Sequence, residues 1–118
     1  MAELKQQILR GTLDLLVLRA VSGDAAHGYQ IARWVEHATR NALTIDDGSL
    51  YPALYRLEER GLLDPEWRLT DDRRRAKYYS LTAAGRRALK EETASWKRYA
   101  GAILAALEAP LHSQTAAT

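Results

Sequence analysis

The sequence predicts a mainly α fold, a small helical domain that carries one β-hairpin and ends in a long helix. Three observations predict it. Apolar residues recur at helical spacing in four segments, two β-favouring segments flank a polar turn, and the last helical segment is too long for the domain before it. At 118 residues with no cysteine, the chain is long enough for one domain and one hydrophobic core.

The first segment runs from Leu4 to Val21 and is apolar on more than one helical face, so such a helix needs two partners, its own domain and a second chain. Ser22-Gly23-Asp24 stops it. The second segment, about His27 to Thr39, places Ile31, Trp34, Val35 and Ala38 at i, i+3, i+4 and i+7, an amphipathic helix. Leu43-Thr44-Ile45 fits one short strand, and Asp46-Asp47-Gly48-Ser49 supplies capping side chains for the next helix. That third helix is expected from Ser49 to Arg60, with Pro52 in its first turn and Gly61 as its stop. Leu50, Leu54 and Leu57 fall within an arc of about 60° and define its core face. Tyr51, Tyr55 and Arg56 point elsewhere.

Leu62–Leu69 and Ala76–Leu81 read as two strands joined by Thr70-Asp71-Asp72-Arg73-Arg74-Arg75. Thr82 then caps a last helix that reaches Glu108 and ends before Pro110. Its roughly 26 residues span about 40 Å. A domain of about 80 residues has a radius of gyration near 12 Å, so much of this helix must project. Leu89, Thr93, Trp96, Ala100, Ile103 and Leu107 follow a 4-3-4-3-4 spacing along it, the seam of a left-handed helix pair. A second copy of the chain is the expected partner, and folding back as a fourth core helix is the alternative. The expected division is a head at 1–81, a dimerisation helix at 82–109 and a frayed tail at 110–118.

Composition narrows the chemistry. Without cysteine there is no thiol nucleophile, thiolate metal site or disulfide, which fits a reducing cytoplasm. His27, His37 and His112 show no zinc-binding spacing, and neither a phosphate-binding glycine loop nor a Gly-x-Ser-x-Gly elbow is present. Neither Asp46-Asp47 nor Asp71-Asp72 follows a calcium-loop pattern. No cofactor, metal or catalytic residue is therefore expected. The apolar run Leu15–Leu18 lies between Asp14 and Arg19, too short for a membrane span of about 20 residues, so a cytoplasmic protein without membrane contact is expected.

The net charge of +2, from 17 basic and 15 acidic residues, does not by itself point to nucleic acid. The placement does. Arg73, Arg74, Arg75 and Lys77 put four cations within five positions at the hairpin turn. Ser49, Tyr51, Pro52, Tyr55 and Arg56 occupy the third helix away from its core face. The order helix, helix, strand, helix, strand, basic loop, strand is that of a winged helix-turn-helix, whose third helix enters the major groove beside a hairpin on the backbone.

The residues also carry a resemblance. His27-Gly28-Tyr29-Gln30-Ile31, Gly48-Ser49-Leu50-Tyr51-Pro52-Ala53-Leu54-Tyr55-Arg56-Leu57-Glu58 with Gly61-Leu62-Leu63, and Arg75-Ala76-Lys77-Tyr78-Tyr79-Ser80-Leu81-Thr82 with Gly85-Arg86 resemble the signature blocks of PadR-family transcriptional regulators. The short single C-terminal helix is similar to the smaller class of that family. The resemblance implies a homodimeric repressor on double-stranded operator DNA. In it the first helix, through Leu9 and Leu13, joins the C-terminal helix in the dimer, and Tyr29, Ser49, Tyr51, Pro52, Tyr55 and Arg56 contact DNA with the wing. One departure is that this wing turn contains neither Gly nor Pro.

Trp96 on the seam would let two copies flank a cavity for a planar aromatic effector, although a tryptophan at a seam also serves as plain packing. Two other readings remain at this point: a winged-helix protein-interaction module that does not bind DNA, and a small enzyme built on His27 or His37, against which the missing nucleophile and metal spacing argue.

Overall fold

The computed structural model describes residues 6–7 and 10–112 of the 118. Its elements are β1 (Gln6–Gln7), α1 (Arg10–Ala20), β2 (Ala26–His27), α2 (Gly28–Ala38), β3 (Leu43–Thr44), α3 (Asp47–Glu59), β4 (Leu63–Leu69), β5 (Arg75–Leu81) and α4 (Ala83–Glu108). Together they form a winged helix-turn-helix, with α2 and α3 as the helix-turn-helix pair and the β4–β5 hairpin as the wing. The sheet has the order β2-β5-β4 and is antiparallel throughout. Separately, β1 and β3 pair in parallel.

The core follows the helical spacings except on α2, where Trp34 and Ala38 of the expected apolar face are exposed and only Ile31 and Val35 reach the interior. Val17, Leu18 and Val21 of the first segment, Ile31 and Val35 of α2, and Leu50, Ala53, Leu54 and Leu57 of α3 are buried together with Leu62, Leu63, Tyr79 and Leu81. No charged side chain is buried among the described residues, and Tyr79 brings the one side-chain hydroxyl of this buried set.

Several boundaries differ from expectation. The first helix begins at Arg10 and not at Leu4, because Gln6–Gln7 is extended and pairs with Leu43–Thr44. Leu4, Ile8 and Leu9 lie outside the described residues. At the other end, most of the expected tail, 113–118, lies outside them too. The third helix begins at Asp47 because Asp46 caps it, its Oδ1 accepting from the Ser49 amide at 2.8 Å. Pro52 is thereby the sixth helical residue, past the first turn, and its missing N–H leaves the Gly48 carbonyl without an α-helical donor.

Gly61 ends α3 at φ +74°, where a side chain is disfavoured. The Leu62 amide donates to the Leu57 carbonyl and the Gly61 amide to that of Glu58, each at 3.0 Å, the two bonds of a Schellman motif.

At the wing tip the Arg73 amide donates to the Thr70 carbonyl at 2.9 Å and the Thr70 amide to that of Arg74 at 2.7 Å. Asp71-Asp72-Arg73 is thus a three-residue hairpin loop whose last residue takes the left-handed conformation, Arg73 having φ 67°. Glycine is the usual occupant there, and an arginine costs on the order of 1 kcal/mol. The wing closes without Gly or Pro by carrying that strain.

Thr82 caps α4 as expected, its Oγ1 accepting from the Gly85 amide at 2.9 Å. Ala84, Gly85, Ala88 and Leu89 pack against the head, and from Ala94 to Glu108 every residue except Ala100 is exposed or more than a third exposed. The helix does not fold back. The resulting shape measures 67 × 35 × 21 Å with a radius of gyration of 17.8 Å, where a compact chain of this length has about 13 Å.

Candidate nucleic-acid interface

Because the core takes the Leu50, Leu54 and Leu57 face of α3, its opposite face is left to solvent. Ser49 and Pro52 are exposed there, beside Tyr51 and Tyr55 at 51% and 63% exposure. Tyr51 leans across the start of α2. A Cβ at Gly28 would lie 2.8 Å from its hydroxyl and 3.1 Å from two ring carbons, so Gly28 is what admits the ring.

The start of α2 is itself fixed by a reciprocal cap. His27 Nδ1 accepts from the Gln30 amide at 3.3 Å while Gln30 Oε1 accepts from the His27 amide at 3.1 Å. The same imidazole meets the Tyr78 ring edge-on at 5.1 Å, joining the helix to the wing sheet. Tyr29 is exposed and accepts from Arg33 at 3.1 Å.

On the wing, the four cations have different surroundings. Arg73 and Arg74 stand at the exposed tip. Asp72 lies 3.5 Å from Arg74, and its carboxyl is held below the usual value first by the Thr70 hydroxyl and also by Arg74. Arg75 lies over the Trp67 ring at 5.1 Å. Lys77 is half-buried, with its Nζ 3.2 Å from Glu58 of α3, so its charge is partly answered within the chain. That ion pair ties the wing to α3. Burial pushes the Tyr79 hydroxyl up.

Between α3, the start of α2 and the wing runs an open groove of about 510 Å³. It brings together Tyr29, Tyr51, Arg74, Arg75 and Lys77, five residues that the sequence singled out from three separate segments. Ser49, Pro52, Tyr55 and Arg73 do not line it. Arg56 is turned the other way: its Nη2 lies 2.8 Å from Asp14 of α1, both side chains partly buried, so it holds α3 to α1.

The seam residues also divide. Leu13 is 4% exposed, packed in the chain's own core, and offers no surface to a second chain, which corrects its expected place in an interface. The helix periodicity is the reason, since Leu13 shares a face with Val17. Leu9 lies outside the described residues. Leu89 and Thr93 are half-buried beside α1, whereas Ile103 and Leu107 are exposed at 43% and 77%. Trp96 is 43% exposed and its Nε1 donates to Thr12 Oγ1 at 3.3 Å.

Trp67 is not among the residues that the sequence singles out, and Gly28 and Glu58 stand there only inside the family-like blocks, without a role. For Trp67 a signal existed, since Leu63, Pro65, Trp67 and Leu69 alternate along one strand face. The described residues include no group of three or more side chains able to hold a metal ion, and no helix long and apolar enough to cross a membrane.

Comparison with known proteins places the chain among regulators. A family model described as the transcriptional regulator PadR-like family matches residues 17–91. A transcriptional regulator of Mycobacterium tuberculosis is 33% identical over 99 residues, which span 84% of this chain and 89% of that protein. Among solved structures, a PadR family transcriptional regulator from Eggerthella lenta aligns with a TM-score of 0.72 at 34% identity over 86% of each chain. A protein of Streptococcus mutans aligns at 0.78 with 28% identity, over 92% of this chain and 98% of its own.

Proposed function

The chain belongs to the PadR-like family of transcriptional regulators, and from that premise we propose that it is a repressor that binds a pseudo-palindromic DNA operator as a homodimer. The observation that carries this reading is the groove between α3 and the wing, where Tyr29 and Tyr51 meet Arg74 and Arg75. In it, α3 enters the major groove with Ser49, Tyr51, Pro52 and Tyr55 toward the DNA, and two such helices take half-sites about one helical turn apart. Arg73, Arg74 and Arg75 neutralise phosphate and set the register, which carries little sequence information. Lys77 contributes less, because Glu58 already engages it.

The reading divides the chain into a DNA-binding head at 1–81 and a dimerisation helix at 82–109. The exposed apolar residues Trp96, Tyr99, Ile103, Leu104 and Leu107 support that division, since monomers rarely leave such a stripe to water. A planar aromatic effector would act near Trp96, where the half-exposed indole adjoins Gly11, Leu15 and Tyr99, by favouring one arrangement of the two heads.

Two variants test the assignment of roles. Tyr51→Ala lowers affinity for a selected operator about tenfold while leaving random DNA nearly unchanged, so the gap between the two narrows. Arg74→Ala with Arg75→Ala weakens both alike and flattens the log–log salt dependence by up to about four, counting two residues in each of two protomers. Binding isotherms at several salt concentrations read both. A Tyr51→Ala variant that weakens operator and random DNA alike, or a double arginine variant that weakens only the operator, would overturn the division of roles.

A further inference from the structure

The wing is amphipathic well beyond the point where its own core ends. Along β4, alternate residues share a face, and Leu63 anchors that face in the core at 3% exposure. The same face continues outward with Trp67 and Leu69, at 58% and 61% exposure. Across the hairpin, Lys77 pairs with Trp67 and Arg75 with Leu69, so two large apolar side chains are boxed in by cations. The opposite face carries Glu66, Arg68 and Thr70. With Arg75 over its ring Trp67 is still 58% exposed, and a hairpin that served only to hold arginines toward phosphate would have no use for an exposed leucine beside it.

The surroundings define what can cover them. Arg75 lies over the indole at 5.1 Å, Arg73 and Arg74 stand at the tip, and Trp67 lines the same groove as Tyr51 of α3. The occupant must present apolar C–H surface interleaved with closely spaced negative charge, and it must be continuous with whatever α3 reads. A duplex minor groove has that chemistry, since its walls are deoxyribose rings rimmed by phosphates.

Resting on the reading that this protein binds DNA through α3 and the wing, we propose that Trp67 and Leu69 form an apolar wedge. The wedge seats against the deoxyribose wall of the minor groove flanking each half-site. Apolar side chains placed at minor-groove sugars and base steps are a known means of adding contact there. Arg75, whose guanidinium carbon lies over the indole at 5.1 Å, is positioned by that contact and so meets the adjacent phosphate without a large loss of side-chain freedom. Trp67 thus acts twice, as a contact and as a platform.

The two parts separate by salt. An apolar contact releases no counterion, so its loss lowers affinity at every salt concentration by the same factor, whereas loss of a phosphate contact also flattens the salt dependence. The probe is an operator duplex recovered by selection from a random-sequence library, used at full length and with its flanking base pairs removed. Leu69→Ala is expected to weaken binding about tenfold with an unchanged salt slope, and Trp67→Phe to keep most of the affinity. Trp67→Ala loses at least as much as Leu69→Ala and flattens the slope slightly, through Arg75. Trimming the flanks weakens the wild type but leaves the Leu69→Ala variant nearly as it was. Both side chains are exposed, so circular dichroism melts of the variants should match the wild type.

If Leu69→Ala and Trp67→Ala bind as the wild type does while Arg74→Ala with Arg75→Ala binds weakly, the wedge is wrong and the DNA reading stands. A loss in Leu69→Ala accompanied by a flattened slope also overturns the wedge, because the contact would then be electrostatic. If the wild type selects no duplex, both fall together.

Discussion

Replacing Gly85 by alanine is expected to lower the melting temperature by roughly 10–20 °C, the equivalent of about 2–3 kcal/mol in a domain of this size. A Cβ at that position would lie 2.2 Å from the Leu62 carbonyl oxygen, far inside contact distance, and 3.1 Å from Leu81 Cδ2. Relief by a small shift is blocked on both sides. The Thr82 hydroxyl donates to the Gly61 carbonyl at 2.7 Å and accepts from the Gly85 amide at 2.9 Å, and the Thr82 amide donates to the Leu62 carbonyl at 3.2 Å. The start of α4 is therefore clamped on the turn that ends α3. Adding one carbon forces that turn and the helix apart, which opens the core at Leu62 and Leu81. Thermal unfolding followed by circular dichroism reads the loss, and a drop below about 3 °C would show that α4 can move away at little cost.

The second large effect is on assembly. Ile103→Asp together with Leu107→Asp is expected to give a monomer at micromolar concentration and to weaken operator binding by about 10² to 10⁴, since each head then binds its half-site without the other held nearby. Neither side chain belongs to the head's core, so the variant's head keeps its fold. An isolated projecting helix is marginal in water, and its outer turns are expected to lose helicity once the apolar face has no partner. Analytical ultracentrifugation and far-ultraviolet circular dichroism check the two consequences. A variant that remains dimeric would place the contact elsewhere on the chain.

What the sequence revealed of this molecule follows the range of the interactions. The core face of α3 was legible because Leu50, Leu54 and Leu57 interact with the core through a spacing fixed within one helix. The bounds of α4 were legible because its cap, Thr82, and its terminator, Pro110, are local signals. The strands β1 and β2 were not, since Gln6–Gln7 and Ala26–His27 lack the β-branched residues that mark Leu43-Thr44-Ile45 and their partners lie far along the chain. The start of α3 was displaced because Asp46 and Ser49 are both good caps, and only the folded chain selects between them.

The candidate interface shows the same division. Tyr51 and Tyr55 were visible as aromatics on a solvent face, and the wing as four cations within five positions. Arg56 looked equivalent to them until Asp14, 42 positions away, took its charge. Lys77 likewise looked like its neighbours in the run, yet Glu58 engages it from α3. Pairings of this kind depend on which helices pack together and leave no local mark. Trp67 was overlooked for a different reason, because an apolar residue at strand spacing reads as core until the edge of the core is known.

The central claim, a dimer whose basic wings and third helices grip one duplex, is tested most directly by the salt dependence of wild-type binding to its operator. With about three to five phosphates neutralised by each protomer, the log of the binding constant should fall against the log of salt with a slope near −5 to −9. A flat response would contradict the account.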